Sequence, residues 1–301
     1  NAGLELAQGA YIGFLDADDL CLPNALTDLS AYLDAHPGMD IVYSDGHYCD
    51  SQKHPLMRLS EHRTDTCSGE ILEQIVLTPT VILAVISTLV RRSAIDTHHH
   101  RFDETLHYGV DWDFWTEVAR FSQFGYLPTL TCLYRIHGDN MTSATTVRTR
   151  NDKLVAGRLK IMHAPWFGEL SANTRGRFFY YFLLELLHGQ SDRQRPIIQS
   201  IQFAGLPADR RAHILRLIAS NNIVQRRDLD FAKDCLRQSL AIWPDDHKSA
   251  FLLRLVEANQ SACRALLMGW QAVHRAMVAL RSIGQTKPRP VPQAMQPQAQ
   301  G

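Results

Sequence analysis

The chain has 301 residues, of which 45% are hydrophobic and 21% charged. That is a globular composition with length enough for two domains. Lys plus Arg and Asp plus Glu number 31 each, for a formal net charge of zero. The balance argues against a general nucleic-acid binder, which needs surplus cations to displace counterions, though one local basic site stays open. No apolar run reaches the ~18 residues that cross a bilayer. Cys21, Cys49, Cys67, Cys132, Cys235 and Cys263 are scattered without a C-x-x-C pair, which suits neither a disulfide scaffold nor a zinc module. Reduced structural thiols in a cytoplasmic compartment are expected.

In chain order, residues 1–9 read as the end of an amphipathic helix, with Leu4, Leu6 and Ala7 apolar and Gly9 as its stop. Residue 1 is Asn and no leader-like segment follows. A domain that opens in mid-helix is expected to be part of a longer protein. Residues 11–15 (YIGFL) predict a buried strand running into Asp16-Ala17-Asp18-Asp19. Leu22, Leu26, Leu29 and Leu33 then recur at helical spacing until Pro37-Gly38, and residues 40–44 predict a second strand. This alternation predicts an α/β domain with a largely parallel sheet.

Residues 46–68 lack a period and read as a loop. Residues 69–77 read as a short helix, 81–90 as a strand and 91–100, with three consecutive histidines, as a solvated loop. Residues 110–124 predict a helix with Trp112, Trp115, Val118 and Ala119 inward, ended by residues 125–128. Residues 130–136 predict the last strand. From about residue 173 to 283 only helical periods occur, broken at Gly189, Pro207, Asn221-Asn222 and Pro244. Ala232, Leu236 and Pro244 match part of a tetratricopeptide pattern, and an ordinary helical bundle fits equally well. The division expected is 1–145, 146–283 and a Pro/Gln-rich disordered tail at 284–301, whose Pro288, Pro290 and Pro292 could meet a proline-reading domain.

The chemistry concentrates in three places. Asp16 and Asp18 follow a buried strand, where open α/β sheets bind ligands. Two such carboxylates repel unless a cation lies between them, and Mg²⁺ or Mn²⁺ would grip both them and a diphosphate. The plainer reading is that Asp16 or Asp19 caps the next helix. Asp111 opens the 110–124 helix and serves either as a cap or as a general base that takes the proton of an acceptor hydroxyl. Asp113, two positions on, points to another helix face. Tyr134-Arg135-Ile136-His137, with Asn140 behind, could supply an arginine to phosphate and a histidine to a metal or diphosphate site.

Taken together, NAGLELAQGAYIGFLDADDLCLPNAL, FDETLHYGVDWDFWTEVAR and GYLPTLTCLYRIHGDNMTS resemble the family-2 inverting glycosyltransferases of the GT-A fold, over about residues 1–145. The resemblance implies a Rossmann-like mixed sheet lacking its first βα units, followed by an all-α C-terminal region. It implies Asp16 and Asp18 on the metal and the nucleotide-sugar diphosphate, Asp111 as base, and His137 closing the site as a further metal ligand. Val110 stands where the family commonly has Glu, which leaves the base in place but removes one carboxylate. The family's first strand and its base-reading residues would precede Asn1, which puts the activity of this chain by itself in question.

The reaction implied is a metal-dependent inverting transfer of a sugar from a nucleotide sugar to a glycan, lipid-linked or protein acceptor. Glycan or cell-envelope polysaccharide synthesis is the expected setting, in the cytoplasm or at the inner face of the membrane. The helical part would shape the acceptor side or meet a membrane or protein partner. One rival is a Mg²⁺ phosphohydrolase with an aspartyl nucleophile, in which the tryptophan-rich helix and the YRIH segment have no role. The other is a non-catalytic scaffold in which the helical half does the binding.

Overall fold

The computed structural model describes residues 1–63, 66–137, 147–186 and 191–285. Six strands, β1 (Tyr11–Gly13), β2 (Leu20–Cys21), β3 (Ile41–Cys49), β4 (Pro55–Arg58), β5 (Thr88–Arg91) and β6 (Phe124–Arg135), build one sheet. Its order is β1-β5-β3-β6-β2, with β4 on β3. Helices α1 (Ala2–Leu6), α2 (Ala25–Ala35), α3 (Leu72–Leu77), α4 (Arg92–Asp96) and α5 (Val110–Ala119) are interspersed among the strands. An all-α region follows: α6 (Val147–His163), α7 (Ala172–Leu186), α8 (Ser191–Ile198), α9 (Ile201–Ala204), α10 (Ala208–Val224), α11 (Leu229–Ile242), α12 (His247–Ala258) and α13 (Gln260–Gln285). The α/β architecture with a mixed sheet and a helical C-terminal region is the one expected. The chain forms two compact units, Asn1–Ile214 and Leu215 onward.

The sheet corrects the expectation of mostly parallel strands. Among the described residues β3–β6 is the parallel pair, while β1–β5, β3–β5, β3–β4 and β2–β6 run antiparallel. Residues 46–68 are not a loop throughout: β3 runs on to Cys49 and β4 pairs with it. The buried Asp45 is tolerated in mid-strand because Gly46 N, Ser60 N and Ser60 Oγ donate to its carboxylate at 2.9, 3.0 and 2.8 Å. The apolar run 81–90 is buried at Val81, Ile82, Ala84 and Ile86, yet only Thr88–Arg91 is a strand. An apolar run reports burial, not conformation.

Two further corrections concern breakers. Residues 125–128 do not end an element; β6 passes through them. Pro128 falls where the β3–β6 register shifts between Ser44 and Asp45, and at such a bulge a missing N–H costs no ladder bond. Gly125 lies under the Tyr32 ring of α2, which any side chain at 125 would strike. Asn221-Asn222 does not interrupt α10, because Asn222 Nδ2 donates to Ile218 O at 2.9 Å within the helix. Residues 92–96 form α4 rather than loop, and His100 is buried. The Gly189 break, Asn140 and the tail from 286 lie outside the described residues.

In the second unit, Asp246 caps α12 and joins three elements. Its carboxylate accepts from Ser249 Oγ at 2.5 Å and Ser239 Oγ of α11 at 3.1 Å, and it pairs with Arg216 of α10.

Candidate active site

The acidic turn is fixed by a two-residue ladder. β2 pairs with the end of β6 through Leu20↔Leu133 and Cys21↔Cys132. Leu22 N donating to Thr131 O at 2.8 Å extends it. This sets the turn beside the residues after β6. Arg135 N donates to Asp19 Oδ1 at 2.9 Å, and His137 Nε2 lies 2.9 Å from Asp18 Oδ2. Neither Asp16 nor Asp19 caps α2, whose N-cap is Asn24. The plain capping reading of these carboxylates therefore fails.

The three turn carboxylates carry different burdens. The His137 hydrogen bond holds Asp18 below the usual carboxylate range, with the Arg135 charge acting the same way. Since that carboxylate is ionised, His137 Nε2–H is the donor. Desolvation and then the Asp18 charge push Asp16 up. Asp19 rises to about 6, first through desolvation, against the Arg135 amide that donates to it.

Asp111 reaches the same region from another element. α5 starts at Gly109, whose φ of +70° is a left-handed conformation that suits glycine. That entry leaves Asp111 in the first helical turn, half-buried, between the buried Trp112 and the half-buried Val110. Desolvation pushes its carboxyl up, the Trp112 and Asp111 amides at the helix start oppose the rise, and the Asp16 charge adds to it. The charge on Asp16 therefore bears on Asp111, although 95 positions separate them in sequence.

Phe14, two residues before Asp16, ties the acidic turn to α5. Its ring packs edge-on against Phe102, Phe114 and Trp115 at centroid distances of 5.5, 5.7 and 5.9 Å. The end of β1 is thus pinned to the buried face of α5, as Trp112, Trp115, Val118 and Ala119 were expected to face inward and do. The sequence reading gave Phe14 no role and Asp19 only that of a possible cap. The available signals were an aromatic at the strand end and a third carboxylate in the acidic run.

Asp113 is a structural partner. It is 3% exposed, and Lys160 Nζ of α6 bridges it to Asp103 at 2.8 and 2.7 Å. α6 falls in the region expected to be helical, although no helical period was read before about residue 173. It is held to the sheet domain by Arg158, whose guanidinium donates to Val76 O and Leu77 O at the end of α3 and lies over the Trp112 ring.

Asp16 and Asp18 supply hard oxygen donors suited to Mg²⁺ or Mn²⁺. Among the described residues no three His, Cys, Asp or Glu side chains converge as a metal-holding group. Asp16, Asp18 and His137 are therefore not a three-ligand cage, and His137 faces Asp18 instead. Any cation here would be held by the carboxylates of Asp16 and Asp18.

Comparison with known proteins bears on this arrangement. Residues 1–99 match the family model described as Glycosyl transferase family 2. An uncharacterized glycosyltransferase of Haemophilus influenzae is 26% identical over 162 residues, which cover 50% of this chain and 48% of that protein. One from Methanocaldococcus jannaschii is 25% identical over 148 residues, covering 48% of each. The chain thus spans about half the length of these curated relatives. Among solved structures, S. aureus TarS 1–349 in complex with UDP-GlcNAc is 17% identical, with 79% of this chain and 70% of that one covered at a TM-score of 0.45.

Proposed function

Residues 1–99 belong to glycosyl transferase family 2, and from that premise we propose that the chain transfers a sugar from a nucleotide sugar to an acceptor hydroxyl by a single inverting displacement. The observation that carries the reading is that Phe14, two residues before Asp16, packs edge-on against Phe114 and Trp115 of the helix whose first turn holds Asp111. A diphosphate-binding turn and a proton acceptor then serve one cleft. The phosphohydrolase alternative gives that acceptor no role.

Asp111 accepts the proton of the acceptor hydroxyl as the oxygen attacks the anomeric carbon. Its desolvation, resisted by two amides, leaves a carboxylate more basic than an ordinary one. Asp16 and Asp18 would hold Mg²⁺ or Mn²⁺ at the donor diphosphate. That ion, when bound, offsets the charge growing on the departing nucleoside diphosphate. His137 keeps Asp18 ionised and oriented. Arg135 adds a positive charge beside the turn and would pair with a phosphate oxygen. One displacement inverts the anomeric configuration. The acceptor is a glycan, lipid-linked or protein hydroxyl, in glycan or cell-envelope polysaccharide assembly.

The test is to incubate the chain with a panel of nucleotide sugars, a divalent cation and candidate acceptors, following nucleoside diphosphate release and the anomeric configuration of the product by NMR. Diphosphate release with an inverted product is expected. A retained configuration, or phosphate release from simple phosphomonoesters in its place, would overturn the reading.

A further inference from the structure

The zero net charge of the chain conceals an uneven distribution. Residues 170–214 carry Arg175, Arg177, Arg193, Arg195, Arg210 and Arg211 against Glu185, Asp192 and Asp209. Three of these arginines gather at one seam of the first compact unit, where the start of α7 meets the turn between α9 and α10. The Phe179 and Phe203 rings, edge-on at 5.4 Å, fasten α7 to α9 there. Arg175 Nη1 reaches that turn, 3.9 Å from where a Cβ on Gly205 would lie. Arg210 reaches back to α7, its Cδ and Cγ 3.8 and 4.0 Å from where a Cβ on Gly176 would lie. Each of the two thus lies against the segment that carries the other, and Arg211 follows directly.

The protein does not answer these charges. Among the described residues, the side chains of Arg175, Arg210 and Arg211 enter no ion pair, and Nε of Arg175 and of Arg211 is buried without a hydrogen-bond partner. Glu73, the acid at the start of α7, already accepts from Ser171 and Thr174. Asp209 is exposed and pairs with none of the three. The placement does not serve the helices either. Arg175 stands in the first turn of α7, and Arg210 and Arg211 in the first turn of α10, the end at which a cation opposes the helix dipole. Arg210 is exposed and the other two are half-buried, so all three are reached from solvent.

Three permanently charged guanidinium groups, crowded together and left without a carboxylate, repel one another until an anion joins them. We propose that Arg175, Arg210 and Arg211 form a binding site for a phosphate-bearing ligand. The planar fork of each guanidinium matches phosphate oxygens in pairs. A phosphate group of charge −2 also offsets more of this positive charge than a carboxylate does. The site works through arginine alone and calls for no divalent cation, whereas the acidic turn at Asp16 and Asp18 has only carboxylates to offer a metal. That difference in chemistry separates the two sites in solution.

This inference stands apart from the sugar-transfer reading and is measured without donor or acceptor. Inorganic pyrophosphate is titrated into the full chain by calorimetry, with EDTA present to remove divalent cations. Saturable binding is expected, weakening as sodium chloride is raised, while sodium acetate at the same concentration gives none. Losing a hydrogen bond to a charged group is a tenfold effect or more, so Arg210→Gln should weaken pyrophosphate binding by about tenfold or more. Arg175→Gln should do the same. Arg210 is exposed, so its variant should fold as the wild type does, with circular dichroism confirming an unchanged helix content in both. Arg210→Lys, which keeps the charge and loses the fork, should fall between Arg210→Gln and the wild type. No saturable binding in EDTA, or undiminished binding by both glutamine variants, would overturn the proposal. Acetate bound as well as pyrophosphate would overturn it in favour of a general cationic surface.

Discussion

His137 Nε2 and Asp18 Oδ2 lie 2.9 Å apart across 119 positions of sequence. The contact exists because β2, only two residues long, pairs with the end of β6 and brings the acidic turn to the segment behind that strand. Asp18 stays ionised as a result. A hydrogen bond to a charged group contributes roughly 1.5–3 kcal/mol, so His137→Ala should weaken cation-dependent donor binding by about tenfold or more. Titration calorimetry with a nucleotide sugar measures this. His137→Gln, which restores a donor, should recover part of the loss, while a replacement that acted only on folding would not be rescued this way.

Phe14 joins the turn to α5 through three aromatic contacts. Removing a core phenylalanine ring costs about 3–5 kcal/mol. Phe14 is half-buried, so Phe14→Ala should cost about 2–3 kcal/mol in denaturant unfolding. Turnover should fall further than the folded fraction explains, because the turn would no longer be held against Asp111. Phe14→Leu should retain most of both.

Lys160 ties α6 to Asp103 and Asp113. Lys160→Met leaves Asp113 buried without its cation and should cost about 2 kcal/mol, the low side for a broken buried pair since Lys160 is partly exposed. Adding Asp113→Asn should recover part of that. The Lys160 hydrogen bond, followed by those from Thr105, lowers the Asp103 carboxyl from 3.8 to about 2. The unfolded chain therefore takes up this proton more readily than the folded one. The stabilisation is complete above about pH 4 and is lost as pH falls toward 2. Thermal melts across that range should show the wild type losing more than Asp103→Asn.

Asp111 is raised by desolvation. The acid limb of kcat against pH should accordingly lie above the ordinary carboxylate range, since the base must be ionised to accept a proton. Leu or Met at Val110 would deepen the burial and should move that limb further upward. An acid limb below pH 4 would exclude this carboxylate as the base.

The site was more legible than the sheet around it. The DADD turn and the inward tryptophans of α5 depend on local patterns that the sequence displays directly, but residues 11–15 are not the buried strand expected: β1 is only Tyr11–Gly13, an edge strand with Ile12 buried and Leu15 62% exposed. That the acidic turn is tied to the helix carrying Asp111 depends on Phe14 reaching Phe114 and Trp115, a contact between elements that no spacing reports. β6 was cut at Pro128 because a proline that reads as a breaker is accommodated where the β3–β6 register slips. β3 was cut short because Asp45 looks like loop chemistry until Ser60 and Gly46 satisfy it. α6, within the region expected to be helical, shows no apolar period because part of its packing comes through Arg158 and Lys160, cations whose partners lie on α3, on α5 and before α5.

Donor affinity and turnover, measured together on Asp18→Ala and Asp111→Asn, probe most directly the division of labour between the two carboxylates. Asp111→Asn should bind the nucleotide sugar nearly as the wild type does and lose most of its turnover. Asp18→Ala should lose cation-dependent binding itself. Near-normal turnover by Asp111→Asn, or undiminished cation-dependent binding by Asp18→Ala, would contradict the assignment of this cleft to sugar transfer.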